Sequence, residues 1–203
     1  MLTQFTTSST GQPFITYLLK PKDIPNFLEL HNKQDSVKPR TAQDLKAHLD
    51  ADMPIIGVKF AGTGQHIAHM LLTNPESKIV QNTNNYPEYE NTALIQSVVI
   101  DKNYNSQKLS TIFNGSEGMA KPQDLLFQQA RQCALEDGFD YLMAKVKSSN
   151  DRSIRLFERR GFEIQQSYIA DGENYEAHYL TSPVLNIAPN LTPKQQTVLV
   201  ASA

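Results

Sequence analysis

The chain has 203 residues, with 19 Lys+Arg against 21 Asp+Glu and a formal net charge of -2, which is enough length for one domain with its own core. That balance provides no long-range field for nucleic acid or an anionic membrane surface, so neither is expected as a partner. No stretch approaches the roughly 18 apolar residues of a membrane span, and the start MLTQFTTSSTGQPF has no basic segment followed by an apolar run, so a soluble cytoplasmic protein is expected.

Residues 1–13 are rich in Thr, Ser, Gly and Gln and read as a tail or an edge segment. The β-branched and aromatic run Phe14 to Leu19 predicts a first strand. After the turn at Pro21, Ile24, Phe27, Leu28, Leu30 and His31 recur at helical spacing to about Asp35. Thr41 and Asp44 form a capping-box pattern before Leu45 and Leu49, which predicts a second short helix.

Pro54 to Phe60 and Gln65 to Leu72 flank Ala61-Gly62-Thr63-Gly64 and read as an antiparallel hairpin. The polar segment Asn74 to Asn91 is long enough to be either a functional or a mobile loop. Thr92 to Ile100 is nearly continuous in apolar residues, as in a central strand covered on both faces. A broken stretch runs to Pro122, and Leu125, Leu126, Ala130, Cys133 and Ala134 then mark a helix that stops at Gly138.

Phe139 to Val146 is a second buried strand, and the strand, helix, strand order predicts a right-handed parallel crossover. Asn150 or Asp151 can cap the next helix, which carries Ile154, Leu156 and Phe157 and ends at Gly161. Two strands follow, Phe162 to Ile169 and Asn174 to Leu180, so the domain is read as residues 14–181, with 182–203 as an extension. Thr197 to Val200 within that extension could pair with a second copy as an edge strand, giving a homodimer.

Cys133 lies among Ala130, Ala134 and Leu135 and reads as a small buried hydrophobe rather than a nucleophile. The five histidines, His31, His48, His66, His69 and His178, are scattered, and no CxxC or HExxH spacing occurs, so no metal is expected.

The segment Asn150-Asp151-Arg152-Ser153-Ile154-Arg155-Leu156-Phe157-Glu158-Arg159-Arg160-Gly161-Phe162 resembles the N-x-x-A-x-x-L-Y-x-x-x-G-F segment of the GNAT superfamily of acyl-CoA-dependent N-acetyltransferases. The element order from Phe14 to Leu180 is similar to that family's. The resemblance implies an α/β (α+β) fold with a mixed, mostly antiparallel sheet, splayed between Thr92–Ile100 and Asp140–Val146, and helices on both faces. It implies acyl transfer from acetyl-CoA, or a related acyl-CoA, to an amine by direct attack.

By the same resemblance, Val98, Val99 and Ile100 supply backbone groups that pair with the pantetheine arm and polarise the thioester. The pyrophosphate loop, Q/R-x-x-G-x-G/A in the family, corresponds to Asn105-Ser106-Gln107-Lys108-Leu109-Ser110, where the glycine is absent and Lys108 offers a point charge instead. This register follows the strand directly and leaves Phe113 to Asp124 as an insertion. A later register, Gly115-Ser116-Glu117-Gly118-Met119-Ala120, has the Gly and Ala.

Phe157 stands where many members carry the Tyr that protonates the leaving thiolate, so Ser153, or a water held by Asn150, would assist. Glu88 and Glu90 precede the central strand, and Gln96 stands where members often carry an acid. Glu90 is the candidate base and Gln96 can orient water. Tyr168, Tyr175 and Tyr179 either line the acceptor pocket or form half-buried sheet surface.

The missing loop glycines and Phe157 also motivate a second reading, a catalytically degenerate GNAT-fold binding or regulatory module. A third is an interaction protein that docks a peptide on the Asn74–Asn91 loop.

Overall fold

A computed structural model of the chain describes residues 4–5, 14–34, 37–51, 54–60, 63–74, 91–105, 109–113, 116–169 and 176–184. Its main sheet has eight strands in the order β1-β2-β3-β4-β5-β8-β10-β9. These are β1 (Gln4–Phe5), β2 (Phe14–Leu18), β3 (Ile55–Phe60), β4 (His66–Thr73), β5 (Thr92–Ile100), β8 (Tyr141–Lys147), β9 (Glu163–Ile169) and β10 (Glu176–Pro183). All of these neighbours pair antiparallel except β5 with β8. This is the mixed, mostly antiparallel α/β sheet that the resemblance implies.

Helices α1 (Ile24–His31) and α2 (Ala42–Asp50) cover one face. They pack Phe27, Ile24 and Leu45 onto Leu19, Ile55 and Leu71. Their apolar positions recur at three- and four-residue spacing, the stripe of an amphipathic helix. Thr41 Oγ1 accepts from the Asp44 N–H at 3.1 Å while Asp44 Oδ2 accepts from the Thr41 N–H at 2.8 Å, the expected capping box.

The other face carries α3 (Pro122–Glu136) and α4 (Asp151–Glu158). Leu125, Leu126, Phe127, Ala130 and Phe157 join Ile56, Val58, Met70, Leu142 and Ala144 in the larger core. Gly138 takes a left-handed φ of 81° and lets the Phe139 N–H reach back to the Ala134 carbonyl, closing α3.

Three boundaries differ appreciably from the sequence reading. The stretch read as broken forms a hairpin, β6 (Leu109–Phe113) with β7 (Ser116–Ala120), and α3 starts directly after it. Glycines and polar residues there hid the strand pattern. The first helix ends at His31, with Asn32 as its cap, and does not run to Asp35. Gln4–Phe5 forms an edge strand, one of the two readings given for residues 1–13. At the other end β10 runs to Pro183 and Val184 packs into the core, past the boundary read at 181.

Candidate functional site

The sheet opens between its two parallel strands. Thr92 to Ile95 pair with Tyr141 to Ala144, and the ladder stops there although β5 runs on to Ile100 and β8 to Lys147. The cause lies on the opposite edge of β5. Leu71 pairs with Ser97 and Leu72 with Ile95, so Gln96 is an extra residue, a β-bulge that bends β5 where the ladder ends.

Beyond the bulge, β4 continues to hold one edge of β5. The Asp101 N–H donates to the Ile67 carbonyl at 2.8 Å, and alternation along an antiparallel ladder then turns the N–H and C=O of Val99 toward β4. Those of Val98 and Ile100 turn to the gap. Unpaired strand groups of this kind accept an added strand or an amide-bearing ligand.

Two helices start at this end of the sheet, because α3 returns antiparallel to β5 and α4 follows the end of β8. Asn150 Oδ1 accepts from the Ser153 N–H at 3.1 Å and caps α4, as expected. Gln123, in the first turn of α3, donates to the Asn105 carbonyl at 3.4 Å and ties that helix to the chain leaving β5. Arg160 donates to Asp124 and so links the end of α4 to the start of α3.

The expected site residues thus separate. Val98, Val99, Ile100 and Gln96 lie along the open half of β5, and Asn150 and Ser153 at the start of α4. Asn105 follows β5, while Leu109 and Ser110 belong to β6. Ser106, Gln107, Lys108, Glu88, Glu90 and Tyr175, with the bulk of the Asn74–Asn91 loop and the Thr197–Val200 segment, lie outside the described residues. Of the later register, Ser116 to Ala120 form β7, the strand that leads into α3.

Phe157 is buried with its ring edge-on to Phe127 at 5.4 Å and to Phe162 at 5.0 Å. Tyr179 is 2% exposed and belongs to the sheet interior. Cys133 is buried on α3, and burial pushes its thiol pKa up, away from the thiolate a nucleophile needs.

A polar constellation lies between β4 and α1. Tyr17 Oη is 2.8 Å from His66 Nδ1, His66 Nε2 is 2.9 Å from His69 Nδ1, and His69 Nε2 is 2.9 Å from His31 Nδ1. His31 Nε2 then meets the Lys38 carbonyl at 3.0 Å. That carbonyl can only accept, so His31 donates from Nε2, and the same logic passes up the chain until Tyr17 donates to His66. Each histidine is the neutral Nε2–H tautomer.

Three of the five histidines are therefore brought together in the fold. His66 and His69 share a face because Val58 pairs with Ala68 and Lys59 with His66, leaving Ile67 as a second bulge residue. Without it, a spacing of three along a strand sends side chains to opposite faces. Phe27 stacks on His69 at 3.8 Å and closes the cluster. Burial lowers the pKa of all three, to about 4 for His66 and well below the ordinary value for His69. With their ring nitrogens bonded to one another, they are no metal cage, and among the described residues no group of His, Cys, Asp and Glu could hold a metal ion.

Arg40 is the other residue that the sequence does not flag. It sits in the α1–α2 connection, and Nη2 donates to Gln96 Oε1, on the bulge, at 2.7 Å. A cavity of about 240 Å³, lined by Leu72, Ala93, Ala134 and Phe139 among others, lies at the far end of β5 and is unconnected with these groups.

No protein-family model matches the sequence, and no curated protein matches it. Solved structures do match. The ribosomal-protein-S18-alanine N-acetyltransferase of Escherichia coli aligns over 88% of this chain and 98% of its own at a TM-score of 0.58 and 15% identity. A GNAT-family acetyltransferase of Streptococcus pneumoniae aligns over 84% and 98% at 0.58 and 16%. A Salmonella typhimurium structure described as an acetyltransferase with its cofactor acetyl-CoA aligns over 88% and 98% at 0.59 and 12%. At these identities the likeness is one of fold. The chain has the fold of the GNAT N-acetyltransferases.

Proposed function

We propose that the protein is an N-acyltransferase that moves the acyl group of acetyl-CoA, or a related acyl-CoA, to an amine. The observation that carries this reading is the gap between β5 and β8, where β5 runs on past the bulge at Gln96 and the polar groups of Val98 and Ile100 have no strand partner among the described residues, beside the starts of two helices. In this reading the amides of the pantetheine arm pair with those groups as a strand would, and a backbone N–H of Val98 or Ile100 polarises the thioester carbonyl. The helix starts offer their positive ends to the phosphates.

The amine attacks the thioester carbon directly, and the CoA thiolate leaves when the tetrahedral intermediate collapses. Buried Cys133 offers no second nucleophile. Phe157 has no proton to give, and the thiolate departs with little help or with a proton from Ser153 or a water near Asn150. Gln96 and Glu90 are the groups we assign to ordering the water through which the amine loses its proton. Asn105 to Ser110, including Lys108, are the first candidates for the phosphates, and Ser116 to Ala120 the second. The setting is a soluble one, in the cytoplasm, and among the described residues no helix is long and apolar enough to cross a membrane.

Phe157, enclosed by Phe127 and Phe162, and a β6–β7 hairpin ahead of α3 favour a second reading, a GNAT fold that binds without catalysis. Thermal shift with acetyl-, propionyl- and longer acyl-CoA, followed by a thiol-release assay on amines, tests both. Ligand at 100 times its Kd should stabilise the protein by about 2.7 kcal/mol. A shift without thiol release selects the binding module, and no shift with any acyl-CoA removes the enzyme.

A further inference from the structure

Arg40 is held far more firmly than a surface arginine. Its backbone N–H donates to Asn32 Oδ1 and its carbonyl accepts from Asn32 Nδ2, each at 3.0 Å, so the amide that follows α1 grips Arg40 from both sides. Two residues earlier, the Lys38 carbonyl is the end of the histidine chain. The connection between α1 and α2 is thereby anchored twice, and the side chain it presents reaches the Gln96 bulge.

The charge so placed has no counterion among the described residues. No carboxylate there lies within salt-bridge distance of Arg40. Asp44 is the acid whose field reaches it, and that carboxylate is occupied with the Thr41 N–H and hydroxyl. The histidine chain ends beside the same connection and is neutral, so it supplies no negative charge either. Gln96 takes one hydrogen bond, and the rest of the guanidinium's planar donor fork is uncommitted among the described residues. A part-buried guanidinium with free donors, and no carboxylate beside it among the described residues, is a ready partner for a bound anion.

The planar fork selects the ligand. Arginine donors match a carboxylate two at a time, which gives direction as well as strength. Gln96 and Val98 stand two residues apart on β5, a rise of about 7 Å, so a carboxylate on Arg40 and an amine near the gap can belong to one small molecule. We propose that Arg40 binds the acceptor's carboxylate and that the acceptor is an amine of the amino-acid class. This rests on the acyltransferase reading for the word acceptor, while the carboxylate site itself can be tested without turnover.

The probes are N-acetylglycine, N-acetylalanine, N-acetylleucine and N-acetylglutamine, which mimic products, against their C-terminal amides, measured by calorimetry on the full chain. At least one acid should bind at least tenfold more tightly than its amide. Arg40→Gln should abolish that preference, Arg40→Lys should keep part of it, and the affinity for acetyl-CoA should stay unchanged in both. Equal binding of acids and amides by the unaltered protein, no binding of any acid, or a preference that survives in Arg40→Gln overturns the proposal. If Arg40→Gln does not fold, an acid-to-amide ratio near one in the unaltered protein still overturns the proposal, and partial retention of the preference in Arg40→Lys supports it. Arg40-dependent binding of acids without any response to acetyl-CoA would refute the acyltransferase reading and keep the carboxylate site.

Discussion

The two faces of the sheet are built on different principles. Under α3 and α4 the core is apolar, with Phe127, Phe157 and Phe162 edge to face and Leu126, Met70 and Leu142 fully buried beside them, and its polar groups, Arg131 and Arg160, lie at its margin. Under α1 and α2 a smaller apolar cluster borders a line of three buried imidazoles, and His48 donates to the Leu72 carbonyl at 2.8 Å. An apolar core tolerates a change of shape in proportion to the volume lost, whereas a polar line is complete or costly. The proposed site divides in the same way: the face with the polar line carries Arg40 and the bulge side chain, and the apolar face fixes the helices whose starts border the gap.

The largest expected loss is on the apolar face. Phe127→Ala should cost about 3–5 kcal/mol in urea unfolding, since it removes a ring from both aromatic contacts at once. His69→Leu keeps much of the volume but strands His66 Nε2–H and His31 Nδ1, and should cost about 2–4 kcal/mol. Replacing His31, His66 and His69 together by leucine should cost less than the sum of the three single changes. Additive losses would show that the line is no cooperative unit.

Acid should separate the faces without mutation. Burial holds the folded pKa of His66 and His48 down at about 4, below the unfolded value of about 6.5. The unfolded chain therefore binds more protons between those limits, so stability is full above about pH 6.5 and falls as pH drops toward 4, by up to about 1.4 kcal/mol per pH unit for each such histidine. Urea midpoints at pH 7, 6 and 5 measure this, and His48→Gln should flatten the slope.

Two smaller effects sharpen the comparison. A Cβ on Gly57 would stand 2.5 Å from Tyr17 Cε1, so Gly57→Ala should push the ring off the end of the histidine line and cost about 1–3 kcal/mol. The tyrosine's hydroxyl signal should change with it. Thr41→Ala removes the cap of α2 and should cost about 1 kcal/mol, read from the same unfolding curves.

Much of the architecture is written locally and can be read. The apolar run Thr92 to Ile100 is β5 to the residue, and the Asn150-to-Phe162 segment carries the cap, the buried aromatic and the terminal glycine of α4. What escapes reading is written as counts and distances. Ile67 and Gln96 are ordinary strand residues, and only the partner strand's length makes either of them extra. His31 lies a helix and two strands away from His69, and Arg40 occupies a connection with no motif. The β6–β7 hairpin is hidden because a hairpin and a loop use the same glycines and polar residues.

The parallel ladder of Thr92–Ile95 with Tyr141–Ala144 is also the seam of the sheet. On one side β2 to β5 form a meander of sequence neighbours, and on the other β8, β9 and β10 close among themselves. Local pairings of that kind form early, and a parallel pairing across a long crossover must first meet its loop-closure entropy. The two halves should therefore gain amide protection before the seam does in pulsed hydrogen exchange. A ligand lying along Val98 to Ile100 would then extend, by intermolecular contacts, the joining that the chain itself stops at Ile95.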